Sequence, residues 1–91
     1  MDFIHDKNEI TLKNEQNEIV AYVKFPEVTD DIVNVKTTYV SESLQGQGIA
    51  GKLMNELVIN LTKTNRKVIP TCTYARNWFS KHPEFKNLIV Q

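Results

Sequence analysis

The spacing of apolar residues changes once along this chain, at Gly48, and that change decides what it can fold into. Before it, apolar and polar side chains alternate, the period of half-buried strands. Ile10 and Leu12 stand between Glu9, Thr11 and Lys13. Ile19, Ala21, Val23 and Phe25 then point one way, with Val20, Tyr22 and Lys24 the other. After Gly48, Ile49, Leu53, Leu57 and Leu61 recur every four residues, with Ala50, Met54 and Val58 beside them. That is one face of an amphipathic helix, ending near Thr64-Asn65.

The remaining segments complete an α+β pattern. Asn14 to Asn17 is a turn, and Pro26 ends the second strand because it cannot donate to a ladder. Ile32 to Val40, rich in Val and Thr, reads as one central strand. Short polar links predict an antiparallel three-strand meander. Lys67 to Pro70 is a short strand reached through the helix, so it can lie parallel to the strand before that helix. Tyr74 to Lys81 is a second, shorter helix, stopped at His82-Pro83, and Leu88 to Val90 suits a last edge strand. Residues 1–91 are expected to form a single domain, as 91 residues allow one small core.

Composition excludes several classes. Eleven basic and eleven acidic residues cancel, so the basic excess of a general nucleic-acid or membrane-surface binder is missing. Neither partner is expected. One cysteine, Cys72, excludes an internal disulfide, and with two histidines it is too few for an ordinary structural zinc site. The acidic start has no signal-peptide run, and no apolar stretch approaches the ~20 residues of a membrane span, so a cytoplasmic location is expected. The charges are unevenly spread. Residues 1–35 hold eight acids and three lysines, and residues 36–91 hold three acids and eight bases. The second part suits an anion.

An anion has an obvious place to bind. Gln45-Gly46-Gln47-Gly48-Ile49-Ala50-Gly51-Lys52 follows a strand and opens the long helix. Helix N-termini carry unpaired N–H groups and the positive end of the macrodipole. Glycines let a phosphate approach the backbone closely. A dinucleotide fingerprint is met by Gly46, Gly48 and Gly51, but Asn65 to Val68 lacks the acid that motif needs about 20 positions on. A Walker A loop is met by Gly46, Gly51 and Lys52, but Leu53 stands where a magnesium-binding hydroxyl is required.

A third pattern, Q/R-x-x-G-x-G/A between a strand and a helix, is met by Gln45, Gly48 and Ala50. It resembles the coenzyme A loop of the GNAT superfamily of N-acetyltransferases. The element order resembles that superfamily's core over nearly the whole chain. Pro70-Thr71-Cys72-Thr73-Tyr74 and His82-Pro83-Glu84-Phe85 are similar to a small, single-domain GNAT-like subfamily.

The resemblance implies a minimal GNAT-like fold and an acetyl-CoA-binding protein that moves an acetyl group to an amine by direct attack on the thioester. Backbone amides of Gly46, Gln47, Gly48, Ile49 and Ala50 would hold the pyrophosphate, and Tyr39, Val40 and Ser41 would pair with the pantetheine arm. Cys72 is an acyl acceptor, a general acid or a packing residue, and Tyr74 an acid for the leaving thiolate or a core tyrosine. Asn77 would bond the cofactor, with Arg76, Lys81 and Lys52 as weaker phosphate candidates and His5 as a weaker base. The superfamily's larger members wall the acceptor site with helices where this chain has only the turn Lys13 to Glu18. An open face suits a polyamine or a protein amine, and the acidic first part favours a cation. Two other readings stay open: an acyl-CoA sensor that does not turn over, self-acetylating at Cys72, and an interaction domain whose glycines only shape a turn.

Overall fold

The computed structural model describes residues 2–90. Seven strands and two helices follow in order: β1 (Phe3–His5), β2 (Glu9–Lys13), β3 (Ile19–Lys24), β4 (Glu27–Thr29), β5 (Ile32–Val35), β6 (Thr37–Val40), α1 (Ile49–Thr64), β7 (Lys67–Pro70) and α2 (Thr73–Lys81). They form two small sheets, ordered β1-β2-β3-β6 and β4-β5-β7. The first is antiparallel throughout. In the second, β7 runs parallel to β5, as a connection through a helix allows. Neither β1 nor β4 was anticipated from the alternation, because three residues are too few to show a period.

The segment Ile32 to Val40 is not one strand but two. Lys36 N–H donates to Lys24 O at 3.1 Å, and Thr37 faces the same Lys24, so two residues oppose one in a β-bulge. The bulge bends the chain out of one sheet and into the other. β5 therefore pairs with β7 while β6 pairs with β3. A second irregularity corrects the facing of Ile19. The ladder passes from Leu12↔Ala21 to Lys13↔Ile19, which leaves Val20 extra and turns Ile19 out to 55% exposure. The expected edge strand Leu88 to Val90 reduces to a bridge between Val68 and Ile89 after the 3₁₀ turn Pro83–Leu88.

The helix face read from the four-residue period is the buried face. Ile49, Leu53, Met54, Leu57, Val58 and Leu61 pack into one core with Ile10, Leu12, Ala21 and Val23 of the first sheet and Val33, Val35 and Val68 of the second. Ala75, Trp78 and Phe79 of α2 join them. Asn65 ends α1 in the left-handed conformation (φ 55°), and Arg66 N–H returns to Leu61 O at 3.0 Å, closing the last turn. His82 ends α2, its Nδ1 on Trp78 O at 2.7 Å and its ring stacked on Trp78.

Arg66 was invisible to pattern reasoning, and it holds two elements together. It is 6% exposed, and its guanidinium donates to Thr64 Oγ1, Asn8 Oδ1, Lys7 O and Asn60 Oδ1 at 2.9–3.2 Å. It thereby ties the end of α1 to the link between β1 and β2. Arg66→Ala leaves those acceptors unpaired and is expected to cost about 2–4 kcal/mol, since bonds to a charged donor are worth more than neutral ones. Urea unfolding would measure the loss. Lys should not restore it, because a point charge cannot fill a four-way fork.

Candidate active site

β6 leads into the glycine loop through a 3₁₀ turn at Glu42–Leu44. Gly46 (φ 83°) and Gly48 (φ 75°) both take the left-handed conformation, which explains glycine at these positions without any ligand. A Cβ at either would meet no protein atom within 4 Å, so the space above the loop is open. Gly48 caps α1 with no side-chain hydrogen bond, and Lys52 N–H makes the bond back to Gly48 O at 3.1 Å. The amides of Ile49, Ala50 and Gly51 precede it, in the first turn where a helix offers no acceptor. The Gln47 amide is directed elsewhere, to Leu44 O at 3.3 Å.

The loop walls a cavity of about 250 Å³ shared with Val40, Leu44, Ile49, Gly51 and Tyr74. Next to it, the unpaired edge of β6 and the start of α2 bound a slot, spanned by Thr38 Oγ1 and Cys72 Sγ at 3.6 Å. Val35 O accepts from both Thr71 N–H and Cys72 N–H, and beyond that point the two chains part. Hydrogen bonding on β6 alternates. Ser41 N–H donates to Val20 O at 2.8 Å, so Ser41 and Tyr39 face β3 while the main chains of Val40 and Thr38 face the slot. Of the three residues expected to pair with the pantetheine arm, Val40 alone turns its main chain toward the slot. Val40 O is met by Gln45 Nε2–H at 3.3 Å.

Cys72 stands across the slot from Thr38, half-buried and outside the cavity lining. It is the N-cap of α2, where Sγ accepts from Ala75 N–H at 3.4 Å and lies 3.6 Å from Thr38 Oγ1. Tyr74, 38% exposed, brings its hydroxyl within 4.0 Å of where a Gly51 Cβ would stand. Burial pushes that hydroxyl above its ordinary value of 10.0, and charge on Cys72 pushes the same way. Tyr74 thus stays protonated through the neutral range.

Other candidates lie elsewhere. Asn77 is exposed on α2, outside the cavity lining. Arg76 donates to Pro70 O at 3.2 Å, and His5 pairs with Glu56 at 2.7 Å. Lys52 and Lys81 are exposed. A larger hollow, about 490 Å³ between Lys67, Lys86, Asn87 and Ile89, gathers none of the predicted residues. Sequence reasoning left two residues out of the expected site, Thr38, and Gly51, which it named only as part of the glycine pattern. Alternation counted back from Val40 would have found the first, and the first-turn rule the second.

A family model described as GCN5-related N-acetyl-transferase matches residues 9–88. The chain belongs to that family. Solved structures agree on the fold. The NMR structure of a GCN5-like N-acetyltransferase candidate from Staphylococcus aureus superposes with a TM-score of 0.79 at 24% identity, covering 98% of this chain and 87% of that one. Tetrahymena GCN5 gives 0.67 at 16%, over 94% of this chain and 63% of its own. A GNAT family acetyltransferase from Elizabethkingia anophelis with acetyl-CoA bound gives 0.64 at 18%, over 82% and 51%. This GNAT chain therefore spans nearly all of the small staphylococcal protein and about half of the Elizabethkingia one. No curated protein sequence matches it. No helix among the described residues is long and apolar enough to cross a membrane.

Proposed function

We propose that this chain is an N-acetyltransferase that takes acetyl-CoA as its acyl donor and passes the acetyl group to an amine, by way of Cys72. The observation that carries the reading is that open glycines, first-turn amides and Val40 wall one cavity with Tyr74, and that Thr38, two residues before Val40, contacts the Cys72 thiol. That arrangement fits the donor. Gly46, Gly48, Ile49, Ala50 and Gly51 offer N–H groups to a pyrophosphate, Val40 and Thr38 offer a strand edge to an amide-bearing arm, and Cys72 lies where the arm would end. Acetyl-CoA supplies an activated thioester.

Cys72 and Tyr74, near enough for the charge of one to act on the other, are the groups this reading puts to work. An amine attacking directly wants a base beside it. A cysteine thiol is the stronger nucleophile, and Cys72 Sγ is held in place at the start of α2 by Ala75 N–H at 3.4 Å. Cys72 Sγ gains the acetyl carbon as the carbon–sulfur bond of the donor breaks. Tyr74 gives its proton to the departing sulfur and recovers the one that Cys72 loses. An amine nitrogen then attacks the acetyl carbon, the bond to Sγ breaks, and the amine's proton returns to the thiol. The Val40 amide, facing the slot, is the donor available to the developing oxyanion.

Calorimetric titration with acetyl-CoA, followed by intact mass measurement, tests the scheme. Binding and a single added acetyl group on Cys72 are expected, discharged by added amine. Binding with neither acetylation nor transfer would leave a sensor of acyl-CoA. Tyr74→Phe should slow transfer about 100-fold, the low end for a positioned acid because a thiolate leaves readily. Since the hydroxyl titrates above 10.0, the wild-type rate should show no loss from Tyr74 ionisation between pH 7 and 9. A single reduced cysteine and the absence of a basic excess fit a cytoplasmic protein acting as one domain.

A further inference from the structure

Facing the other way from α1, the first sheet carries a transverse row of side chains. The register Ile4↔Thr11, Thr11↔Tyr22 and Tyr22↔Tyr39 lines up four residues on one face. Tyr22 and Tyr39 stack with ring centroids 5.2 Å apart and planes 29° apart, and Tyr39 is 43% exposed. Lys24 Nζ lies 4.9 Å from the Tyr22 ring centroid. Lys24 shares an ion pair with no carboxylate among the described residues; those present are His5–Glu56 and Lys7–Glu27.

This face borders the slot. Side chains alternate along β6, so Thr38 and Val40 turn inward and Tyr39, between them, turns outward. Thr38 reaches Cys72 from within. Tyr39 thus flanks the site on the outer face, between Thr38, which contacts Cys72, and Val40, which lines the cavity. The turn Asn14 to Glu18 is closed on itself by Asn14 Oδ1 accepting from Gln16 N–H and Glu18 N–H.

We infer that Tyr39 and Tyr22 select the acceptor: they form a π-surface for a primary alkylammonium, and Lys24 is its internal stand-in. The inference rests on the acetyl-transfer reading for its purpose, though not for its test. An aromatic ring face attracts an ammonium through its quadrupole. The chain displays that affinity with its own lysine, an alkylammonium of the same chemistry as a diamine end or a lysine side chain. An acceptor cation must displace Lys24 or sit beside it against like charge. Lys24 therefore weakens acceptor binding, an effect opposite in sign to that of the rings.

The test uses the full chain and 1,4-diaminobutane, with 1,4-butanediol as the neutral control. Without acetyl-CoA, the diamine should shift the NMR ring resonances of Tyr22 and Tyr39, and the diol should not. Tyr22→Leu should weaken diamine binding about two- to fivefold, the worth of an exposed cation–π contact. Lys24→Ala should strengthen it by a similar factor, which a packing role for the stack does not predict. Acetyl-CoA affinity should be the same in both variants. A lysine-containing tetrapeptide tells a protein amine from a free polyamine: stronger shifts with one name the source. Equal shifts by diamine and diol, no ring shifts, or weaker binding in Lys24→Ala would overturn the inference. Loss of acetyl-CoA binding would instead overturn the function proposed above, and the ring titration would still be read by itself.

Discussion

Cys72→Ser is expected to cut acetyl transfer by about 10²- to 10⁴-fold while acetyl-CoA binds as before and the protein remains as stable. That range is the contribution of a positioned catalytic group. Serine is the informative substitution because Cys72 has two structural duties besides chemistry. It caps α2 through Ala75 N–H, and it contacts Thr38 across the slot. Serine is among the best N-cap residues and keeps both contacts within reach. Alanine removes the cap and is expected to cost about 0.5–2 kcal/mol as well. A rate loss common to both variants, with a stability loss only in alanine, separates the nucleophile from the cap. Undiminished transfer in Cys72→Ser would restore direct attack by the amine and leave the thiol a packing role.

At Gly48 the largest effect on donor binding is expected. Valine there should raise the acetyl-CoA dissociation constant at least about 100-fold, because its branched side chain enters the open space above the loop. It should also destabilise the fold. At φ 75° a side chain meets its own carbonyl, at a cost of about 1–2 kcal/mol, and a β-branched residue suffers most. A lower melting temperature would then confuse the result. Asparagine resolves it, since it tolerates the left-handed region and still projects a side chain. Gly48→Asn is expected to melt within a few degrees of the wild type and to bind acetyl-CoA at least about 10-fold more weakly. Normal binding by that variant would remove the loop from the site.

Regular elements were legible in proportion to their length. Sixteen residues of α1 repeat one apolar period four times, and the structure follows it to within a residue. Three residues of β1 or β4 repeat nothing. The bulge at Lys36 was hidden because both halves of Ile32 to Val40 have strand composition. What changes there is the partner, and a partner is a tertiary fact. Arg66 was illegible for a related reason, since its four acceptors come from residues 7, 8, 60 and 64. The loop was legible because its glycines have a local cause, a left-handed backbone. Which amides it frees depends on hydrogen bonds that composition does not display. Gln47 and Gly51 exchange roles on that ground.

The offset at Lys36 has a thermodynamic consequence. A single continuous segment belongs to two sheets, so the parting of β6 from α2 is held apart covalently, by one surplus residue, and does not depend on an occupant. A guest entering there has no ladder to unzip and little backbone to order. Association should then be limited by diffusion and orientation rather than by opening, with main-chain positions of β6 the same empty and filled.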